Sequence, residues 1–185
     1  SQLPRRVARF RPALEFLEDR CLLAASVVDR SLFYNDSVFD GNDPAINASD
    51  DAAIAGDKNA YLPDDGLADS VNVSSYWRGI NGIMVDLAES QGPITAADVT
   101  FGMRGGGLDV TQTPDTWAAA PAPSEVVVRG GAGSGGSDRV VMTWADGAIA
   151  NRWLQVTVEG NDAAGGFNSN TGLAASDVFY FGSRI

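Results

Sequence analysis

The chain has 185 residues, enough to bury a core without disulfide staples, and 44% of them are hydrophobic, which excludes wholesale disorder. Its formal net charge is −11, and it contains no histidine and one cysteine, Cys21. Those absences exclude Ser-His and Cys-His nucleophile pairs, histidine-ligated zinc, iron or copper, and an intrachain disulfide. The charge is unevenly spread. Five of the 13 basic residues, Arg5, Arg6, Arg9, Arg11 and Arg20, lie in the first twenty positions, and beyond them eight basic residues face 21 acidic ones. A surface so acidic repels nucleic acid and anionic lipid and suits cations, salt or neutral glycans. No apolar run approaches the roughly 20 residues of a membrane span.

Residues 1–25 differ in character from the rest. Basic residues come first, and Pro12 suits the first turn of a helix. Leu14, Leu17 and Cys21 then fall on one face at helical spacing, and Ala24, Ala25 and Ser26 are small. The order is that of a targeting segment, although Glu15, Glu18 and Asp19 are foreign to an ordinary secretory apolar region. An amphipathic helix packed on the domain is the alternative. The stretch Arg11 to Ala24, with Leu14-Glu15-Phe16-Leu17-Glu18-Asp19-Arg20-Cys21-Leu22-Leu23 at its centre, resembles the LExLEDRxLL motif near the N-terminus of many large planctomycete surface and secreted proteins. That resemblance implies export or surface sorting, with the segment removed or buried, and leaves Cys21 without a catalytic role. The division expected is a helical or disordered targeting segment over 1–25 and one domain over 26–185.

In the body, Pro44 to Lys58 is the one helical stretch: Ala52, Ala53, Ile54 and Ala55 favour helix, and Asp50 or Asp51 suits its cap. Everything else alternates with period two, as half-buried strands do. Ile83, Val85 and Leu87 alternate with Met84 and Asp86; Val99, Phe101 and Met103 with Thr100; Val126 and Val128 with Val127. Gly130 to Ser137 is too glycine-rich for an element and lacks the GK[ST] of a phosphate cradle, so it is read as a linker. Val140, Met142 and Trp144 form a further set, as do Leu154, Val156 and Val158. The turn signal Asp146-Gly147 between them predicts that these two strands pair antiparallel. Val178-Phe179-Tyr180-Phe181 is apolar on both faces, which predicts a strand in the middle of a sheet. Eight to ten short strands at this spacing predict an all-β antiparallel β-sandwich, in jelly-roll form as one possibility, with at most one short helix.

Three groups of residues carry candidate chemistry. Asp36, Asp40, Asn42, Asp43, Asp50, Asp51 and Asp57 crowd one stretch, and hard oxygen ligands of this kind suit Ca²⁺. The residues singled out as its ligands are Asp40, Asn42, Asp43, Asp51 and Asp57. The EF-hand pattern is absent, and the competing reading is a solvated loop whose Asp and Asn residues make turns and caps. Tyr76, Trp77 and Trp117 lie in turn-rich or proline-rich sequence and suit a sugar platform, with Arg78, Asn81 and Asp86 as hydrogen-bonding neighbours. The competing reading is core packing, which claims most tryptophans. Trp144 and Trp153 sit in strands, facing sides that parity leaves open. The five glutamates, Glu15, Glu18, Glu89, Glu125 and Glu159, together with Asp86 and Asp138, are the only route to a carboxylate-dependent hydrolase or lyase, and no spacing singles out a pair. Three Asn-x-Ser triplets, at Asn35, Asn47 and Asn72, are read as incidental.

Several body segments also resemble a known but uncharacterised domain: Phe33-Tyr34-Asn35, Phe39-Asp40-Gly41, Asp51 to Lys58, Gly79 to Asp86, Trp153 to Val158 and Asp177 to Gly182. That domain recurs in multidomain planctomycete proteins, often just before a dockerin-like calcium repeat. The resemblance implies a surface or extracellular setting and carries over no catalytic residue. The expectation is a non-catalytic extracellular or cell-surface module, calcium-stabilised and binding polysaccharide or a matrix component. A purely structural adhesion or surface-layer domain is the alternative, with a carboxylate hydrolase or lyase behind both. Partners expected are polysaccharide or surface and matrix proteins, without nucleic acid and without a transmembrane span.

Overall fold

The computed structural model describes residues 24–63, 65–104, 117–162 and 166–185. The segment expected over 1–25 therefore lies outside the described residues, except for Ala24 and Ala25; Ala25 is already buried in the core of the body. Among the described residues no helix is long and apolar enough to cross a membrane.

The chain is all-β, and its nine described strands form two sheets. They are β1 (Ser26–Leu32), β2 (Val73–Ser74), β3 (Gly82–Ala88), β4 (Val99–Arg104), β5 (Ala118–Ala119), β6 (Glu125–Arg129), β7 (Asp138–Thr143), β8 (Trp153–Val158) and β9 (Asp177–Ser183). A four-stranded sheet runs β1-β3-β7-β6, and a five-stranded sheet runs β2-β9-β8-β4-β5. One hydrophobic cluster joins them. Ile83, Val85 and Leu87 of β3 and Val140 and Met142 of β7 meet Leu154, Val156 and Val158 of β8 and Phe179 and Phe181 of β9. These are the alternating sets visible in the sequence, because successive side chains of a strand point to opposite faces. β9 lies inside its sheet, between β2 and β8, as its two apolar faces require.

The pairing of β7 with β8 is corrected. β7 pairs with β3 and β6, while β8 pairs with β4 and β9, so the chain crosses from one sheet to the other. The intervening segment does contain the Asp146-Gly147 turn, but its hydrogen bonds go elsewhere. Gly147 N donates to Arg78 O at 2.7 Å, Ile80 N to Ile149 O at 2.9 Å and Trp144 N to Asn81 O at 3.0 Å. Ile149 is buried in the core and pulls the segment across. The real hairpin is β6–β7, closed by the glycine-rich Gly130 to Ser137. That stretch, read as a bare linker, contains a 3-10 turn at Ser134–Gly136, and Asp86 accepts from Ser134 N at 2.8 Å. One pairing is also parallel: β2 runs alongside β9. No hairpin joins two strands so distant in the chain, so no tight turn dictates their direction.

The helical stretch expected over 44–58 is a six-residue 3-10 helix, Ala48–Ala53. Asn47 caps it in place of Asp50 or Asp51. The Asn47 side chain accepts from Ser49 N, and the Asp50 carboxylate accepts from Asn47 N, closing a capping box. Further single 3-10 turns at Ser70–Asn72 and Ala96–Asp98 are boxed the same way by Asp69 and Thr95, and no helix among the described residues is longer than the six residues of Ala48–Ala53.

Each outer face carries a smaller apolar cluster. On the four-stranded sheet Phe33, Ala53, Met84 and Val141 cluster with Ile46 and Ile54. The Phe33 ring lies so close over Gly82 that a Cβ there would meet it at 2.5 Å. On the five-stranded sheet Tyr61, Ala68, Trp153 and Tyr180 cluster, with Trp117 packed against them.

Candidate functional site

Tyr76 and Trp77 lie on the turn that leads into β3, which Gly79 N closes by donating to Tyr76 O at 2.8 Å. Trp77 is 69% exposed, unusual for so large an apolar surface. Its ring is held in place: the Arg78 guanidinium carbon lies 4.8 Å from the indole centroid, and the Tyr76 ring centroid is 6.2 Å away. Arg78 is itself clamped. Its Nη1 lies 3.0 Å from Asp36 Oδ2 and 3.1 Å from Asp146 Oδ2. The hydrogen bond to Asp36, seconded by the charge of Asp146, holds the guanidinium above its ordinary pKa.

The support continues behind the turn. Asn81 Nδ2 donates to Asp146 Oδ1 at 3.0 Å and to Asn35 O at 2.9 Å, and Asn81 Oδ1 accepts from Asn35 N at 3.1 Å. Tyr34 packs on Tyr76 with ring centroids 4.3 Å apart. Burial pushes the Tyr76 phenol up, so it stays neutral at ordinary pH. Three loops, 34–43, 76–81 and 145–149, thus fix one exposed aromatic plane rimmed by carboxylates. Asp36 and Asn42 take left-handed backbone there, φ 54° and 58°, which short polar side chains tolerate.

The other sugar-platform candidates go elsewhere. Trp117 packs on Tyr180 at a centroid distance of 5.2 Å, on the outer face of the five-stranded sheet, and joins Trp153 there. Trp144 faces the shared core and donates its indole N–H to Pro121 O at 2.9 Å. Asp86 belongs to an ion-pair network on the outer face of the four-stranded sheet. Arg139 Nε and Nη2 donate to its two oxygens at 2.7 and 2.8 Å. Sequence reasoning found Tyr76, Trp77, Arg78 and Asn81 but missed Asp146 as their partner, because it lies 65 residues beyond Asn81 and reads only as a turn former.

The acidic candidates scatter in the same way. Asp40 Oδ1 accepts backbone N–H groups of Ser37 and Asn42 at 2.9 and 3.0 Å. Asp43 accepts from Ala45 N and from Asn47 Nδ2 at 3.0 and 2.8 Å. Asp51 faces Arg129 Nη1 and Arg139 Nη1 at 2.7 and 2.9 Å, and Arg129, assisted by Arg139, holds its carboxyl below the usual range. Asp57 is exposed beside Lys58 at 3.0 Å. Asn42 is exposed at the loop tip. No group of three His, Cys, Asp or Glu among the described residues has metal-binding geometry. For the carboxylate-enzyme reading, Asp138 is engaged by Ser90 Oγ and Gly131 N, and Glu159 by Thr100 Oγ1. A shallow depression lined by Val28, Asp29, Arg30, Asn59, Ala60 and Leu62 holds a single carboxylate. Of the three Asn-x-Ser triplets, Asn35 and Asn72 are buried and Asn47 is a cap.

Compared with known proteins, the chain matches no family model, no curated protein and no solved structure.

Proposed function

We propose that this domain is a non-catalytic extracellular or cell-surface module that binds polysaccharide through Trp77, with calcium stiffening the acidic loop behind the platform. One observation carries the reading: a fully formed indole is presented to solvent and braced on one side by Arg78. A flat ring of this kind stacks on the apolar face of a pyranose. Asp36 and Asp146 retain lone pairs for sugar hydroxyls beside it. The likeness of the N-terminal motif to planctomycete surface proteins supports an exported setting, as does the acidic surface.

Titrating soluble polysaccharides into the protein is expected to perturb tryptophan emission for at least one of them. Trp77→Ala is expected to abolish that response and weaken binding by about 10-fold or more, as truncating a central aromatic anchor does, while leaving the melting temperature within about 2 °C. A broad panel without any response, or full binding by Trp77→Ala, refutes this site. A second reading, an assembly module without a small ligand, draws on the exposed Val38 and Phe39 of the neighbouring loop. It predicts concentration-dependent self-association in sedimentation and no polysaccharide response.

A further inference from the structure

Among the described residues, the buried side-chain atoms without a hydrogen-bond partner include three oxygens that only accept, and all three come from one short stretch: Asn35 Oδ1, Asp40 Oδ2 and Asp50 Oδ1. The remaining orphans, Arg78 Nε, Ser137 Oγ and Ser183 Oγ, are able to donate. Asp40 is 5% exposed and Asp50 0% exposed. A carboxylate oxygen enclosed in this way without a donor is costly to leave unsatisfied. Each carboxylate is also fixed by its other oxygen: Asp40 Oδ1 by the N–H groups of Ser37 and Asn42, Asp50 Oδ2 by that of Asn47.

A run of hydrogen bonds ties the two carboxylates together: Asp43 N donates to Asp40 Oδ1 at 3.4 Å, Asn47 Nδ2 to Asp43 Oδ2 at 2.8 Å, and Asn47 N to Asp50 Oδ2 at 2.9 Å. Arg129 is committed to Asp51 through both of its terminal nitrogens, and among the described residues no donor hydrogen-bonds the three orphaned oxygens.

We propose that Asn35 Oδ1, Asp40 Oδ2 and Asp50 Oδ1 are ligands of a buried Ca²⁺ ion that closes the 35–50 loop. Two carboxylates balance its charge, and the amide oxygen adds a neutral hard donor of the kind Ca²⁺ accepts. Mg²⁺ fits less well, since it sheds its water shell reluctantly. This deepens the calcium part of the function proposed above and is independent of the glycan part. It also replaces most of the ligand set expected from the sequence: Asp43 is taken up by Asn47 and Ala45, Asp51 by two arginines, and Asp57 lies at the surface beside Lys58.

The test is calorimetric titration of CaCl₂ into the full chain stripped with EDTA, repeated with MgCl₂, alongside thermal melts. The expected result is one Ca²⁺ per chain, a melting temperature that rises with Ca²⁺, and weaker binding of Mg²⁺. Asp40→Asn and Asp50→Asn are expected to weaken Ca²⁺ binding by more than about 10-fold, since affinity follows the number of charged ligands; Asp57→Asn is expected to leave it unchanged. Asn35→Ala, which alters no charge, decides the matter if the aspartate variants do not fold; it too is expected to weaken binding. Unchanged Ca²⁺ affinity in these variants places the ion elsewhere and overturns the site while leaving calcium stabilisation standing. No binding by the wild-type chain overturns both, and a higher melting temperature for Asp50→Asn than for wild type in EDTA then identifies the oxygens as repelling each other or sharing a proton.

Discussion

Replacing Asp86 with alanine is expected to lower the stability of the domain by about 3–5 kcal/mol, the cost of stranding the other member of a buried ion pair. Asp86 sits on the central strand β3 and is 1% exposed. It is the anchor of a four-charge chain. Arg139 grips it through Nε and Nη2, and then reaches Asp51 with Nη1; Asp51 is held in turn by both terminal nitrogens of Arg129. Removing Asp86 leaves the buried Arg139 with only its outer partner and strips Ser134 N of its acceptor, loosening the β6–β7 turn. Asp51→Ala is the internal comparison. Its side chain is 38% exposed, so water screens the loss, and about 1 kcal/mol or less is expected. The double replacement Asp86→Leu with Arg139→Met is expected to recover most of the lost stability, because well-packed apolar side chains often substitute for a buried pair without penalty. Urea denaturation of the four proteins measures this. A loss below about 1 kcal/mol for Asp86→Ala would falsify the claim that the pair is structurally essential.

Gly79→Ala is the second large effect, and it links the fold to the proposed platform. Gly79 has φ +78°, and a Cβ there would meet the Ile149 carbonyl oxygen at 2.4 Å. The left-handed conformation costs an L-residue about 1–2 kcal/mol, and overlap with rigid backbone about 1–3 kcal/mol more. The relief available is to push residues 76–79 away from 147–149. That movement breaks the Ile80 N to Ile149 O and Gly147 N to Arg78 O bonds and drags Arg78 off Asp146. Polysaccharide binding is therefore expected to fall together with stability, in contrast to Trp77→Ala, which costs binding alone. A Gly79→Ala protein that melts like wild type would show that the turn has slack the close approach does not suggest.

The strands were legible because their chemistry is local. Alternation at Ile83-Val85-Leu87, Val140-Met142-Trp144 and Leu154-Val156-Val158 places one face of each strand in the shared core, wherever the strand lies in its sheet. The two-faced run at Phe179-Tyr180-Phe181 requires cover on both sides and has it, in the inter-sheet core and in the Tyr61–Trp153 cluster. Partner choice was not legible in this way. Asp146-Gly147 makes a turn whether the next strand folds back on β7 or crosses to the other sheet, and the burial of Ile149 selects the crossing.

The same division holds for the sites. Aromatic chemistry at Tyr76-Trp77 and a crowd of acids at 36–57 are visible as residue types. Which acid faces an arginine, which caps a turn and which is buried without a donor depends on strands far away in the chain: Asp51 is neutralised from β6 and β7, while Asp50, its neighbour, is sealed from solvent. By itself, the amino-acid order determined an all-β body, its core faces, its acidity and the absence of imidazole chemistry, because each follows from a side chain's own polarity and spacing. The tertiary structure alone decided which sheet each strand joins, which charges pair and which oxygens are left wanting, because those depend on through-space distances that residue order does not encode.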